Sequence, residues 1–178
     1  MCIDTIWHKF LKEGDTDSFS IIYNRYINEL YTYGLYLGYE GELCKDAIQD
    51  VYYKLYVSRK ELKGIKQPAS YLFRSFKNRL IDIYRKNAHT ENIDLTDRSF
   101  PIQVTVLDDM ITEEDTQLLK KRVELLLESL SGHQRETIYL RYMLDLDYQQ
   151  IGKILNIHPD SARKLTNRAI IKMRTGRG

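Results

Sequence analysis

Arg163, Lys164, Asn167, Arg168 and Lys172 recur along one stretch near the C-terminus, just after Asp160 and Ser161. Guanidinium and ammonium groups donate to phosphate oxygens and guanine edges, and short polar side chains reach other base edges. The chemistry on offer is therefore recognition of duplex nucleic acid, not bond-making. Arg163 and Lys164 stand near the start of a predicted helix and are the base-edge candidates, while Arg168, Lys172 and Arg174 suit phosphates. Asp160 stays open between two roles: stabilising the helix N-terminus through its dipole, or accepting from a cytosine amine.

A second constellation lies at 71–86, where five cations and one anion share a helix with several aromatics. Tyr71, Arg74, Lys77, Asn78, Arg79 and Arg85 offer a phosphate track with ring faces on which unpaired bases stack. An amphipathic helix with a basic solvent face is the ordinary alternative. A third group, Asp46, Gln49, Asp50 and Tyr53, mixes acid, amide and phenol on one helix face. Such a face suits a protein partner better than DNA, with a solvated surface as the alternative.

Catalytic chemistry finds no support in the chain. His8, His89, His133 and His158 are dispersed, without an HExxH pair, and no glycine-rich loop precedes a helix. Asp108, Asp109, Glu113, Glu114 and Asp115 are explained as charge at a helix N-terminus more simply than as a metal site. We expect no catalytic residue, no metal and no cofactor, and a protein that is not an enzyme.

The elements that position these groups follow from apolar spacing and caps. Ile6, Trp7, Phe10 and Leu11 predict a short helix stopped at Gly14, and Asp15 or Thr16 caps the next. Phe19, Ile22, Tyr23, Tyr26, Leu30 and Tyr33 line that second helix, ended by Gly38 and Gly41. A third spans about 43–59, and Pro68 opens a fourth that reaches about Asn87. Periodicity is lost over residues 89–112, too long a stretch for a connection inside a compact domain. A helix from about Glu113 to Leu130 follows, then capping boxes at Ser131–Gln134 and Asp147–Gln150. Ile151, Leu155, Ile157, Ala162 and Leu165 pack two short helices into a helix-turn-helix, with Gly152 at their crossing and Asn156 at the left-handed turn. The fold class is all-α: two small helical domains, 1–88 and 113–178, joined by an irregular linker at 89–112, the C-terminal one containing the helix-turn-helix.

Charge divides the same way. Residues 1–90 carry 14 Lys+Arg against 11 Asp+Glu, residues 91–130 carry 4 against 10, and residues 131–178 carry 9 against 4. Basic ends around an acidic middle suggest two nucleic-acid-facing units joined by a segment with another job. Cys2 and Cys44 make neither a disulfide framework nor a zinc spacing, and no apolar run approaches a membrane span. Cytoplasm is the expected location, without membrane insertion. The fourteen tyrosines against one tryptophan supply side chains that face a core on one side and a partner on the other.

Together these pieces resemble the extracytoplasmic-function (ECF) group of sigma factors of bacterial RNA polymerase, in the sigma-70 family. Lys45-Asp46-Ala47-Ile48-Gln49-Asp50-Val51-Tyr52 resembles the stretch that binds the clamp helices of the largest catalytic subunit. Tyr71 to Lys86 resembles the helix that recognises and helps melt the downstream promoter element. Leu130 to Glu136 with Leu140-Arg141-Tyr142 resembles the opening of the second conserved domain, and Tyr148 to Arg174 its reader of the upstream element. The turn departs from the family pattern with Asn156 and His158 where Gly and Ser are frequent, and Thr166 takes a position where an apolar residue is common.

The resemblance implies jobs. Asp46, Gln49, Asp50 and Tyr53 would dock on polymerase core, with the second domain on the flap of the other large subunit. Leu62 to Gln67, with Lys63 and Lys66, resembles a loop that captures a flipped base, next to Tyr71, Arg74, Lys77, Asn78, Arg79 and Arg85. The acidic linker would thread toward the active-site channel. Asp160, Ser161, Arg163, Lys164, Asn167, Arg168 and Lys172 would read upstream promoter DNA. An anti-sigma partner is implied as well, since family members often have one. Two rivals remain at this point: a dimeric helix-turn-helix regulator that grips duplex operators unaided, and a DNA-processing enzyme, which would need a nucleophile or clustered carboxylates.

Overall fold

The computed structural model describes residues 2–88, 121 and 123–175. Among these the chain is all helical, as the periodicity predicts. The order is α1 Ile3–Glu13, α2 Thr16–Tyr36, α3 Gly41–Val57, α4 Pro68–Ala88, α5 at 123–128, α6 Gly132–Ile138, a π-helical run Tyr139–Met143, α7 Tyr148–Leu155 and α8 Pro159–Thr175. The linker expected at 89–112 lies outside the described residues.

The helix ends are set by local chemistry. The Asp15 carboxylate accepts from the Ser18 backbone N–H at 2.8 Å and caps α2. That bond, helped by Lys9, holds its pKa below the ordinary carboxylate value. Ser131 and Gln134 form a reciprocal capping box at α6, and Asp147 and Gln150 form another at α7.

The first four helices bury one aromatic-rich core. Trp7, Phe10, Tyr33, Phe73 and Phe76 are fully buried, and each such burial contributes about 1.5–3 kcal/mol. At Gly34 a Cβ would lie 2.5 Å from the Cys44 Sγ and 2.9 Å from the Phe76 Cζ, so glycine lets α2 approach both α3 and α4. Trp7 also donates its indole N–H to the Ile65 carbonyl at 2.8 Å, tying α1 to the loop that precedes α4.

The later helices pack α8 against α6 and α7. A plain helix is expected through Ile138, Tyr139 and Tyr142; instead the backbone widens to π spacing, with the Leu144 N–H reaching the Tyr139 carbonyl at 3.3 Å. The widened turn closes with the Leu146 N–H on the Leu140 carbonyl (3.1 Å) and the Arg141 guanidinium on the Leu146 carbonyl (2.8 Å). π-bulges tend to mark functional places. Here the bulge directs Tyr139 outward from its own helices, against α2.

That contact joins the two halves. Tyr139 stacks on Tyr33 at 5.9 Å with a 13° interplanar angle, and meets Tyr36 at 4.8 Å. Helix α4 packs on α7. One cluster of buried hydrophobics runs unbroken from Ile6 through Leu80 to Leu140, Ile151 and Ala162.

Candidate nucleic-acid interface

The helix-turn-helix is built by a tight turn between α7 and α8. Asn156 closes α7 in the left-handed region at φ 55°, and the Ile157 N–H reaches back to the Gly152 carbonyl at 2.9 Å. A Cβ on Gly152 would sit 2.7 Å from the Ile157 carbonyl oxygen and 3.3 Å from the Pro159 nitrogen. A side chain there would push the turn away, and with it the start of α8. His158 does more than its type suggests at a helix start: its Nδ1 accepts from the Asp160 N–H at 3.3 Å. Thr166, the polar departure within α8, is fully buried, and its hydroxyl donates to the Ala162 carbonyl at 3.0 Å. Ala162 and Ala169 are also fully buried, so α8 is held by one face only.

The opposite face of α8 carries the candidates. Asp160, Ser161, Arg163, Lys164, Asn167 and Arg168 are all exposed. Arg163 pairs with Asp160 at 3.2 Å, one turn apart. The pair gives Asp160 a partner that neither of the two roles read from the sequence named. Lys172 is less free than expected: it is half-buried and its ammonium donates to the Ser129 carbonyl at the end of the helical run from α5.

On α4 the candidates divide. Arg74, Asn78 and Arg85 are exposed, as are Lys63 and Lys66 in the preceding loop. Tyr71 is half-buried against Trp7 (5.8 Å between rings), and burial raises its phenol pKa. Arg79 is bound to Asp50 of α3, with its Nε 2.7 Å and Nη2 2.6 Å from the same carboxylate oxygen. Lys77 reaches Glu136 of α6 at 2.7 Å. Two of the cations assigned to DNA are thus held by acids of this chain.

Helix α3 presents its acid–amide–phenol face between two clefts. On one side, Gln49 and Tyr53 border an apolar groove of about 710 Å³ whose walls are Phe19, Tyr23, Ile27, Ile48 and Tyr52. On the other, Asp50 shares a polar cleft of about 350 Å³ with Tyr71, Ser75, Asn78, Arg79 and Asp82. Tyr53 is 70% exposed, unusual for a ring that size. Asp46 is exposed on the same helix. The aromatic groove is a feature that residue spacing did not reveal. The surplus of tyrosines was its signal, because a ring on each of two facing helices leaves a cleft that neither can fill.

Among the described residues no cluster of three or more His, Cys, Asp or Glu could hold a metal, and no helix is long and apolar enough to cross a membrane. The acidic residues at 108–115 lie outside the described residues.

Comparison with known proteins matches the same two regions. A family model of sigma-70 region 2 matches residues 22–90, and one of sigma-70 region 4 matches residues 120–173. The ECF RNA polymerase sigma factor SigM of Bacillus subtilis (strain 168) is 24% identical over 157 residues, covering 83% of this chain and 88% of that protein. Among solved structures, CnrH in complex with the cytosolic domain of CnrY superposes with a TM-score of 0.63 at 17% identity, over 98% of this chain and 96% of that one.

Proposed function

The chain belongs to the sigma-70 family, in its ECF group, and from that premise we propose how its surfaces divide the work of a sigma factor. It directs RNA polymerase core to promoters and assists melting at initiation. Chemistry stays with the polymerase, and the chain acts by recognition. Because its partners are core enzyme and chromosomal DNA, it works in the cytoplasm.

Helix α8 reads the upstream element as duplex. Arg163 and Lys164 meet base edges, Asp160 holds Arg163 in place, and Asn167, Arg168 and Lys172 secure the backbone, with Ser161 at the helix start. Helix α4 and its preceding loop take the downstream element. Arg74, Lys77, Arg79 and Arg85 follow phosphates, Lys63 and Lys66 flank the flipped base, and Tyr71 and Asn78 face it. Asp46, Gln49, Asp50 and Tyr53 on α3 dock on the clamp helices of the largest subunit, and the helices after 120 meet the flap of the other. The solved complex of CnrH with CnrY supports a regulatory protein as a further partner, in the manner of an anti-sigma factor. Residues 1–88 and 113–178 serve as the two recognition units, with 89–112 as the acidic strap between them.

The observation that carries this reading is the pairing, in one chain, of a helix-turn-helix with an exposed cationic face and a second basic helix that shares a polar cleft with the acid–amide face of α3. A duplex-binding regulator needs the first and has no use for the second. Reconstituted run-off transcription tests it: added to core polymerase, the chain yields discrete start sites on genomic templates, and absence of initiation on every template refutes it. Tyr53→Ala is the clean docking variant, because Tyr53 is exposed and makes no bond to Arg79. It lowers core affinity while the fold persists. Asp50→Lys lowers it too, but also breaks the pair with Arg79.

A further inference from the structure

We propose that His158 is a further contact of the upstream reader: its Nε2–H donates to a DNA phosphate at the head of α8, and protonation of the ring adds a cation to that contact. The inference rests on the assignment of α8 to duplex DNA and extends it to a residue outside the cationic face.

The residue is held where such a contact needs it. Its carbonyl accepts from the Ser161 and Ala162 N–H groups at 2.9 and 3.1 Å, closing the first turn of α8. The turn before it is fixed by Asn156 at φ 55° and by the Ile157 N–H on the Gly152 carbonyl. The side chain is nonetheless 73% exposed. Asp160, Ser161 and Lys164, assigned to DNA, are exposed at the same end of the helix.

The hydrogen bond of the ring selects the nitrogen on offer. Nδ1 accepts from the Asp160 N–H at 3.3 Å. A neutral imidazole with an accepting Nδ1 carries its proton on Nε2, so Nε2 is the donor. A single N–H cannot make the bidentate contacts that separate one base from another, whereas a phosphate oxygen needs one donor only.

Charge at the head of α8 is balanced until the ring gains a proton. Asp160 lies between two partners, with Oδ1 3.2 Å from Arg163 and Oδ2 3.7 Å from the His158 Nδ1. With a neutral ring the three side chains sum to zero; with an imidazolium they sum to +1. The helices packed on α8 turn their charges elsewhere. On α7, Lys153 donates to the Gln67 side chain. On α6, Arg135 donates to the Leu127 and Leu130 carbonyls, and Glu136 accepts from Tyr33 and Lys77. A protonated Nδ1 cannot accept, so the charged ring exchanges the Asp160 N–H for the Asp160 carboxylate while Nε2–H stays on the phosphate. Charge-assisted hydrogen bonds are about twice as strong as neutral ones. Serine, frequent at this position in the family, would cap the helix but could not gain that charge.

The test uses holoenzyme assembled from core polymerase and the full chain. The probe is a fluorescein-labelled duplex promoter fragment from a start site mapped by run-off transcription. Anisotropy gives its Kd at pH 8 and pH 6 over a series of KCl concentrations. His158→Asn keeps a capping acceptor and does not titrate, so the ratio of wild type to this variant removes the pH dependence of the polymerase itself. From pH 8 to pH 6 wild type is expected to gain roughly fivefold in affinity over the variant. Its slope of log affinity against log salt should steepen by up to about 0.9, the release of one counterion. His158→Arg, charged throughout, should show the steeper slope at both pH values. Should circular dichroism show His158→Asn unfolded, His158→Ser supplies an equivalent cap. Wild type and a folded capping variant that share one pH profile and one salt slope overturn the contact. Arg168→Ala, exposed on the same helix, separates the two readings. It should weaken binding at both pH values, and undiminished binding would remove the assignment of α8 itself. Weakened binding by Arg168→Ala beside an unchanged His158 comparison removes the histidine alone.

Discussion

Gly152→Ala tests whether the turn geometry, and not helix propensity, governs the helix-turn-helix. By propensity alone the change should stabilise α7 by about 1 kcal/mol. The new methyl, however, would sit 2.7 Å from the Ile157 carbonyl oxygen, about 0.6 Å inside an ordinary carbon–oxygen contact of about 3.3 Å. It also meets the Pro159 nitrogen at 3.3 Å and Cα at 3.5 Å. These are backbone atoms and cannot rotate aside. The turn that must yield is pinned by Asn156 at φ 55° and by the Ile157 N–H on the Gly152 carbonyl at 2.9 Å. The upper part of the overpacking range, about 2–3 kcal/mol, therefore applies. Less the propensity gain, the net loss is about 1–2 kcal/mol, or a fall in Tm of roughly 2–8 °C for a chain of this size. Calorimetry of the full chain reads the stability, and holoenzyme affinity for the upstream element reads the displacement of Pro159 and of the Arg163–Lys164 end of α8. A higher Tm with unchanged promoter affinity would refute the argument, since it would mean that the turn yields freely.

Three further outcomes follow from the geometry. Arg163→Ala should cost about 1–3 kcal/mol in holoenzyme binding and relax preference at one upstream base pair; a uniform loss across sequences would make Arg163 a phosphate contact instead. Cys2 is exposed and Cys44 buried, with the Cys44 thiol pushed up to about 11 by burial. Native protein near pH 8 should therefore react rapidly with a disulfide reagent at Cys2 only, and both thiols should react after denaturation. The Tyr26 phenol is raised from 10.0 to about 12, chiefly by burial. The fold thus favours its protonated form, so its contribution is complete below pH 10 and is lost as pH climbs from there toward 12. The loss approaches about 3 kcal/mol. Urea midpoints that stay flat across that window would contradict it.

Much of the fold was legible because its determinants are local. Two capping boxes, a proline at the first turn of α4 and an asparagine in the left-handed region announce helix ends within a few residues of where they act. The cationic face of α8 was legible only in part: Ala162 faces inward as its spacing suggests, but Thr166 and Ala169 are the other buried residues, while Leu165, read as packing, is half-buried. The π-bulge was not legible, because Tyr139–Met143 has the composition of ordinary helix and its widening depends on where Leu144 and Leu146 find carbonyls. The groove beside α3 depends on how far apart two helices stand, which no spacing within either helix records.

The hardest feature to read was the seam between the two halves, and the reason is physical. A glutamate four residues after Gly132 in a short helix looks like a solvated charge, and Lys77 looks like one more cation on a basic face. Their meaning arises only when side chains 59 positions apart come within 2.7 Å. The same holds for Tyr33 and Glu136, 103 positions apart. A buried charge pair is weak evidence for stability, because removing both ions from water offsets much of their attraction. It is stronger evidence for choice of arrangement. Each partner is tolerable in water when the halves part and costly only if one is left buried alone. The seam is not ionic alone: the Tyr33–Tyr139 stack and the buried hydrophobic cluster cross it as well, so the ion pair selects among arrangements that apolar burial stabilises.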